Sequence, residues 1–166
     1  MINKISEYKE QIKGPVLQTT LAYLIKDNQI LLAMKKRGFA AGKWNGTGGK
    51  KKDGETVEEA AKREANEEIG IGIKKLNKVA TLNFYFLNRS DWNNHTSVYL
   101  VDSWIGEPTE SEEMSPKWFE LDKIPYDKMW EDDALWLPKV LNRIKIEADF
   151  LFDENQKMID KDIREI

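Results

Sequence analysis

Between Val16 and Ile25 the chain reads VLQTTLAYLI, a run rich in aliphatic and β-branched side chains, and the polar break KDNQ separates it from ILLAMKK. Two such runs around a short turn predict a β-hairpin. KVATLNFYFL, HTSVYLVDSWI and PKWFEL share this strand character and are set apart by the polar segments NRSDWNN and GEPTESEEMS. The pattern changes between Thr56 and Ile69, where Val57, Ala60, Ala61, Ala65 and Ile69 recur at three- and four-residue steps, the period of a helix face. Thr56 followed by Glu59 forms a capping box, and Gly70 supplies a stop. DDALWLPKVLNRIKIE predicts a second helix with its proline near the first turns, and FLFDENQKMIDKDIREI a last hairpin. NKISEYKEQIK, ahead of Gly14-Pro15, reads as a polar helix or a loose extension. Mixed strands with few helices indicate an α+β domain, expected over residues 16–166 behind an N-terminal extension, residues 1–15.

Composition narrows the class. At 166 residues, 40% of them hydrophobic and 33% charged, the chain is long enough for one well-filled core. A net charge of −3 gives no bulk attraction to nucleic acid or anionic membranes, so an anionic substrate needs local basic groups or a metal ion. The absence of cysteine removes disulfides, thiolate metal sites and a cysteine nucleophile, and a single histidine, His95, leaves no basis for histidine-rich sites. No run has the length of a membrane span, and the first fifteen residues lack a signal peptide's apolar centre. A cytoplasmic protein is expected.

The chemistry concentrates in two neighbouring stretches. RGFAAGKWNGTGG carries five glycines in thirteen residues, a loop whose backbone bends or approaches something closely. On the helix that follows, Glu64, Glu67 and Glu68 fall on one face. Two readings stand at this level. Arg63 pairs with Glu67 at the i, i+4 spacing, with Lys62 nearby, giving a solvated, salt-bridged face. Alternatively the carboxylates gather a hard divalent cation such as Mg²⁺ or Mn²⁺.

Gly49, Glu55 and Arg63-Glu64-Ala65-Asn66-Glu67-Glu68-Ile69-Gly70-Ile71 resemble the Nudix box, G-x5-E-x7-R-E-U-x-E-E-x-G-U with U a bulky aliphatic residue. Every fixed polar and glycine position is matched; Ala65 is smaller than the usual residue there. The resemblance implies an α/β/α sandwich with a mixed sheet, the box helix on one side and the helix after Asp133 on the other. It implies metal-dependent pyrophosphohydrolysis of a nucleoside diphosphate derivative, with Glu64, Glu67, Glu68 and the Gly48 carbonyl as Mg²⁺ ligands, Mn²⁺ substituting. Arg63 then holds the glutamates, Glu55 supports the loop, and Gly48, Gly49 and Lys50 border the substrate.

Outside the box, MKKRGFAAGKWNGTGGK, ESEEMSPKWFELDKIPYDKMWEDDALWLP and DIREI are similar to the branch of this family, found in animals, that degrades oxidised purine nucleoside triphosphates. By that likeness Asn45 binds the purine edge, and Trp130 with Asp132 and Asp133 recognises the base. Phe39 and Phe84 line its pocket, with Thr20 and Lys35 at the floor. Glu113 adds an acidic group near the metals, as ligand or general base. Glu131 stands where that branch has proline, and Asn94 falls near a pocket methionine. Taken singly, the aromatics suit an ordinary core, Asp132 and Asp133 suit helix caps, and Lys35, Lys36 and Arg37 suit a solvated turn. His95 is expected to have no catalytic role.

The reaction so implied is hydrolysis of 8-oxo-dGTP or 2-hydroxy-dATP to monophosphate and pyrophosphate, by a monomer that needs no nucleic acid and no membrane. The alternative within the family is another substrate: an ordinary nucleoside triphosphate, a nucleotide sugar or a capped RNA end. A non-catalytic nucleotide sensor or RNA-binding module is a reading from a different class, and it has no use for the full glutamate set.

Overall fold

A computed structural model describes residues 1–38 and 40–166 of the chain; Phe39, expected in the pocket, lies outside them. In chain order the elements are α1 (Ile5–Lys9), β1 (Leu17–Lys26), β2 (Gln29–Lys35), β3 (Trp44–Asn45), α2 (Val57–Ile69), β4 (Gly72–Ile73), β5 (Asn77–Phe86), β6 (Asn94–Val101), β7 (Trp104–Ile105), β8 (Met114–Glu120), α3 (Asp133–Leu141), β9 (Ile146–Phe152) and β10 (Met158–Glu165). The main sheet runs β10-β9-β5-β6-β1-β2-β3, with β8 on β2. It is mixed: β1 and β6 are parallel, as are β5 and β9, and its other pairs are antiparallel.

The predicted hairpin forms because Asp27 and Asn28, at φ 52° and 62°, take the left-handed conformation that a two-residue turn of matching twist requires. Its two strands then part after only two pairs, Lys26 with Gln29 and Ile25 with Ile30. On its other edge β1 pairs with β6 from Leu17 to Leu24, and β2 pairs with β8 along its whole length. The glycine-rich loop threads the opened gap, with Ala22 N–H donating to Thr47 O at 2.7 Å and Thr20 N–H to Gly49 O at 3.0 Å. This splay creates the space in which the site lies.

Alternating residues of β1 and β2 bury opposite faces. Ala22, Leu24, Leu31 and Ala33 pack with Ala61, Ala65 and Ile69 of α2. Tyr23, Ile30 and Leu32 join Trp136, Leu137 and Val140 of α3 in the other core. The helices thus flank the sheet as expected of an α/β/α sandwich, and Ala65 is fully buried, its small side chain seating α2 close to the strands.

Three boundaries differ from the sequence pattern. HTSVYLVDSWI divides into β6 and β7, because β7 leaves the main sheet to pair with β4 just after α2. The second helix stops at Leu141, Arg143 turns left-handed at φ 65°, and Ile146 enters β9. There Ile146 pairs with Ala80 on one side and Glu165 on the other, tertiary pairing that overrides helical periodicity. Of the two readings of the N-terminal stretch, the helix is the one formed, over Ile5–Lys9, with Ile5 and Tyr8 buried against Tyr85 and Leu151.

Candidate active site

The capping box of α2 is present in both directions: Glu59 N–H donates to Thr56 Oγ1 at 3.1 Å and Thr56 N–H to Glu59 Oε1 at 3.0 Å. Gly70 closes the helix in the left-handed conformation at φ 72°. With its alanine stripe on the sheet, α2 presents Glu64 and Glu68 to the Gly48-Gly49 turn. Glu68 is 3% exposed, and its Oε2 accepts from the Gly48 N–H at 3.3 Å. A Cβ on Gly48 would stand 1.7 Å from the Thr20 carbonyl oxygen, and one on Gly49 2.6 Å from Glu64 Oε1. Gly48→Ala is therefore expected to push the turn off the strand and the helix, with a loss of roughly 1–3 kcal/mol in thermal unfolding and of most activity.

Arg63 uses all five of its donors. Nε and Nη2 grip Glu55 at 3.0 and 2.8 Å, Nη1 reaches Glu64 at 3.0 Å and Glu67 at 3.1 Å, and Nη2 also meets the Lys50 carbonyl at 3.1 Å. These hydrogen bonds hold the Glu55 carboxyl down at about 2, so Glu55 is a permanent anion spent on Arg63. Lys50, expected beside the substrate, enters the site through this backbone carbonyl; its side chain is exposed and absent from the cleft wall, because its bridge to Thr19 fixes it at the rim.

Burial, and then the neighbouring Glu64 carboxylate, push the Glu68 carboxyl up to about 9. Two acids that must share a proton when no cation stands between them form a donor set suited to a hard divalent ion. Glu64 and Glu68 meet in this way, whereas Glu67 is half exposed and turned to Arg63. Among the described residues no three acids form a closed cage, so Arg63 must yield part of its hold for all three glutamates to converge. Glu113 is exposed, near enough to raise Glu68 further, and 3.8 Å from Arg37. Lys36 pairs with Glu110, and Arg37 also approaches Glu112 at 3.8 Å. These basic residues are thus the partners of an acidic loop.

From the Gly48-Gly49 turn a cleft of about 290 Å³ runs over the sheet to the start of α3. Thr20, Lys35, Asn45, Phe84, Trp130, Asp132 and Asp133, all expected there, line it. Asn45 is oriented by two donors to its Oδ1, the Tyr23 hydroxyl and the Gly46 N–H, each at 2.9 Å. With Oδ1 taken up by these donors, the Nδ2 amide is the group Asn45 can offer as a donor in the cleft. Phe84 stacks on Phe150 at 5.7 Å, and Trp130 stands edge-on to Phe152 at 6.0 Å with Lys43 Nζ 5.3 Å from its ring centre.

Asp132 and Asp133 are each 2% exposed. Asp132 does not cap α3 with its side chain; its Oδ2 accepts from Trp136 Nε1 at 2.8 Å. Burial pushes its carboxyl up to about 6, and burial together with Asp132 holds Asp133 well above the usual range. Asp133 Oδ2 and Thr20 Oγ1 are buried without a hydrogen-bond partner among the described residues, a cost sustained where a ligand completes the bonding.

The sequence pattern does not mark Tyr23, Phe86 or Phe152, nor Thr19 and Thr96, which join Asn94, expected near a pocket position, in a linked polar wall. Asn94 Oδ1 accepts from Thr96 at 2.6 Å and from Thr19 at 3.3 Å, and the two hydroxyls are 2.6 Å apart. Period-two spacing links Phe84 to Phe86 and Asn94 to Thr96; nothing local announces that β1 lies beside β6. His95 lies outside the cleft wall and bonds Asn83 at 2.8 Å. No helix among the described residues is long and apolar enough to cross a membrane.

Comparison with known proteins adds an independent line. A model of the NUDIX domain matches residues 17–140. The chain is similar to the oxidized purine nucleoside triphosphate hydrolase of Danio rerio, 41% identical over 89% of this chain and 94% of that protein. The protein of the same name from Mus musculus is 42% identical over the same shares, 89% and 94%. Among solved structures, the MutT protein of Bacillus halodurans superposes with a TM-score of 0.79 over 89% of this chain and 97% of that one, at 22% identity, which bears on the fold alone.

Proposed function

From the premise that the chain belongs to the NUDIX domain family, we propose that it hydrolyses oxidised purine nucleoside triphosphates such as 8-oxo-dGTP and 2-hydroxy-dATP to monophosphate and pyrophosphate. The observation that carries the base assignment is the buried Asp132-Asp133 pair, with one oxygen unpartnered among the described residues, at the end of a cleft continuous with the glutamate corner. An ordinary purine and its oxidised form differ in which edge atoms carry protons. Two adjacent carboxyls that share a proton can present either a donor or an acceptor.

In this reading Trp130 supplies a stacking face, the Asn45 Nδ2 donates to the base, Lys35 meets the nucleotide at the cleft wall, and Phe84 covers its apolar side. Glu64, Glu67, Glu68, Glu113 and the Gly48 carbonyl would hold Mg²⁺, with Mn²⁺ able to replace it. A divalent cation there neutralises phosphate charge and acidifies water. Arg63 orients the glutamates, and Glu68 gives up its proton when the site is loaded. The molecule acts as a cytosolic monomer on a small nucleotide, over the domain 16–166, without nucleic acid or membrane.

A turnover panel tests the substrate. The oxidised triphosphates should exceed dGTP and dATP in kcat/KM by roughly tenfold or more, the discrimination that one or two satisfied buried hydrogen bonds provide. Equal rates across the panel would assign the site to ordinary nucleotides.

A further inference from the structure

The segment joining β5 to β6 has a cleft residue at each end, Phe86 and Asn94, and just before Asn94 a buried amide, Asn93, which is 3% exposed. Asn93 Oδ1 accepts from the Phe86 N–H at 2.8 Å, and Asn93 Nδ2 donates to the Tyr8 hydroxyl at 3.1 Å. That hydroxyl in turn donates to the Phe86 carbonyl at 2.8 Å. Three residues thus close a ring of buried hydrogen bonds, and Tyr8, distant in sequence, is the member that comes from outside the segment.

Tyr8 is itself held in place. It packs edge-on against Tyr85 at 5.9 Å. The helix that carries it is tied down by Lys9 Nζ on the buried Asp149 at 2.7 Å and by the Ile5 N–H on Asp160 Oδ2 at 2.8 Å. None of these anchors lies on α2 or on the glycine-rich loop. Through Tyr8 the helix therefore bears on the β5–β6 segment beside the cleft rather than on the glutamate corner.

We infer that the N-terminal extension is a positioning element of the nucleotide cleft, in which Tyr8, acting through Asn93, sets where Phe86 and Asn94 stand against the bound base. Loss of the Tyr8 hydroxyl leaves the Asn93 N–H and the Phe86 carbonyl buried with one partner fewer. The segment relaxes, and with it the Asn94 amide on which Thr19 and Thr96 converge. The effect falls on nucleotide affinity, because the groups that face the phosphates are held by other contacts. The inference rests on the cleft of the proposed function binding the nucleotide, but on no particular base.

Tyr8→Phe tests it, since the ring and its packing survive and only the hydroxyl goes. With the nucleotide the panel shows to be turned over fastest, KM should rise roughly tenfold, while kcat and the Mg²⁺ dependence stay within about twofold of the parent. Amide exchange should quicken from Phe86 to Asn94 and stay unchanged from Gly46 to Lys50, a readout that needs no substrate. Ile5→Ala is the comparison: it strips apolar cover from the same helix and spares the ring, so it should lower Tm with KM unmoved. The inference is overturned if exchange in Tyr8→Phe matches the parent, or if KM rises no more than in Ile5→Ala. Failure of the oxidised-purine assignment would appear instead in the panel, with the Tyr8→Phe result intact.

Discussion

Glu68→Gln is expected to lower kcat on the order of a thousandfold or more and to leave the fold intact. The reason is the environment of the side chain. Glu68 is buried, hydrogen-bonded to the Gly48 N–H, and pushed up to about 9 by burial and by Glu64. In metal-free protein at neutral pH it is a neutral acid, and glutamine is its neutral isostere. The variant keeps the packing and loses the capacity to become a carboxylate, which is what the proposed metal site would require. The sign of the stability effect follows by linkage. A carboxyl raised from 4.5 to about 9 on folding makes the folded state bind the proton more tightly. Its favourable contribution is complete below about pH 4.5 and is lost as pH rises toward 9. In chelator, Glu68→Gln should thus be more stable than the parent at pH 7, by up to roughly 3 kcal/mol, with the gap widening toward pH 9. Chemical denaturation in chelator across that range, paired with turnover in Mg²⁺, checks both halves. Hydrolysis at the parental rate would remove Glu68 from the mechanism.

Asp132→Asn should change the ratio of kcat/KM for 8-oxo-dGTP over 2-hydroxy-dATP by roughly tenfold or more, with the Mg²⁺ dependence unaltered. The substituted amide can still accept from Trp136 Nε1, so the helix start is preserved. What is lost is the shared proton. With Asp132 at about 6 and Asp133 also held above the usual carboxylate range by burial and by Asp132, the parent pair changes its protonation near pH 6. The selectivity ratio should therefore vary with pH around 6 in the parent and become flat there in the variant. The stability sign is the same as for Glu68. Asp132, raised from 3.8 to about 6, stabilises the folded state below about pH 3.8 and loses that contribution as pH passes 6. The parent should lose stability over this interval relative to Asp132→Asn. A pH-independent selectivity ratio in the parent would remove the proton-sharing account of base recognition.

Much of the catalytic corner was legible in the chain because it is local. The capping box at Thr56, the stop at Gly70 and the alanine stripe all act within a few turns of one helix, and they fix which face Glu64 and Glu68 occupy. Gly48 and Gly49 were readable as places where the backbone runs close to something, though not that the contacts are the Thr20 carbonyl and Glu64. The pocket residues were legible by family likeness, and Thr20, Asn45, Trp130, Asp132 and Asp133 do share one cleft. The side chain of Lys50 is exposed and off the cleft wall, where its backbone bridges to Thr19, a pairing that no local pattern encodes.

By itself the sequence determined the helix of the box, its boundaries, the order of charges along it and the turn at Asp27-Asn28, since each follows from interactions between residues close in the chain. The tertiary structure alone decided that β1 exchanges its hairpin partner for the glycine-rich loop, that Ile146 opens a strand, and that Tyr8 reaches Asn93 across the fold. It also decided that Asp133 Oδ2 is left buried without a hydrogen-bond partner among the described residues. Those outcomes depend on which surfaces exclude water together, and burial is a property of the assembled molecule that short-range spacing does not record.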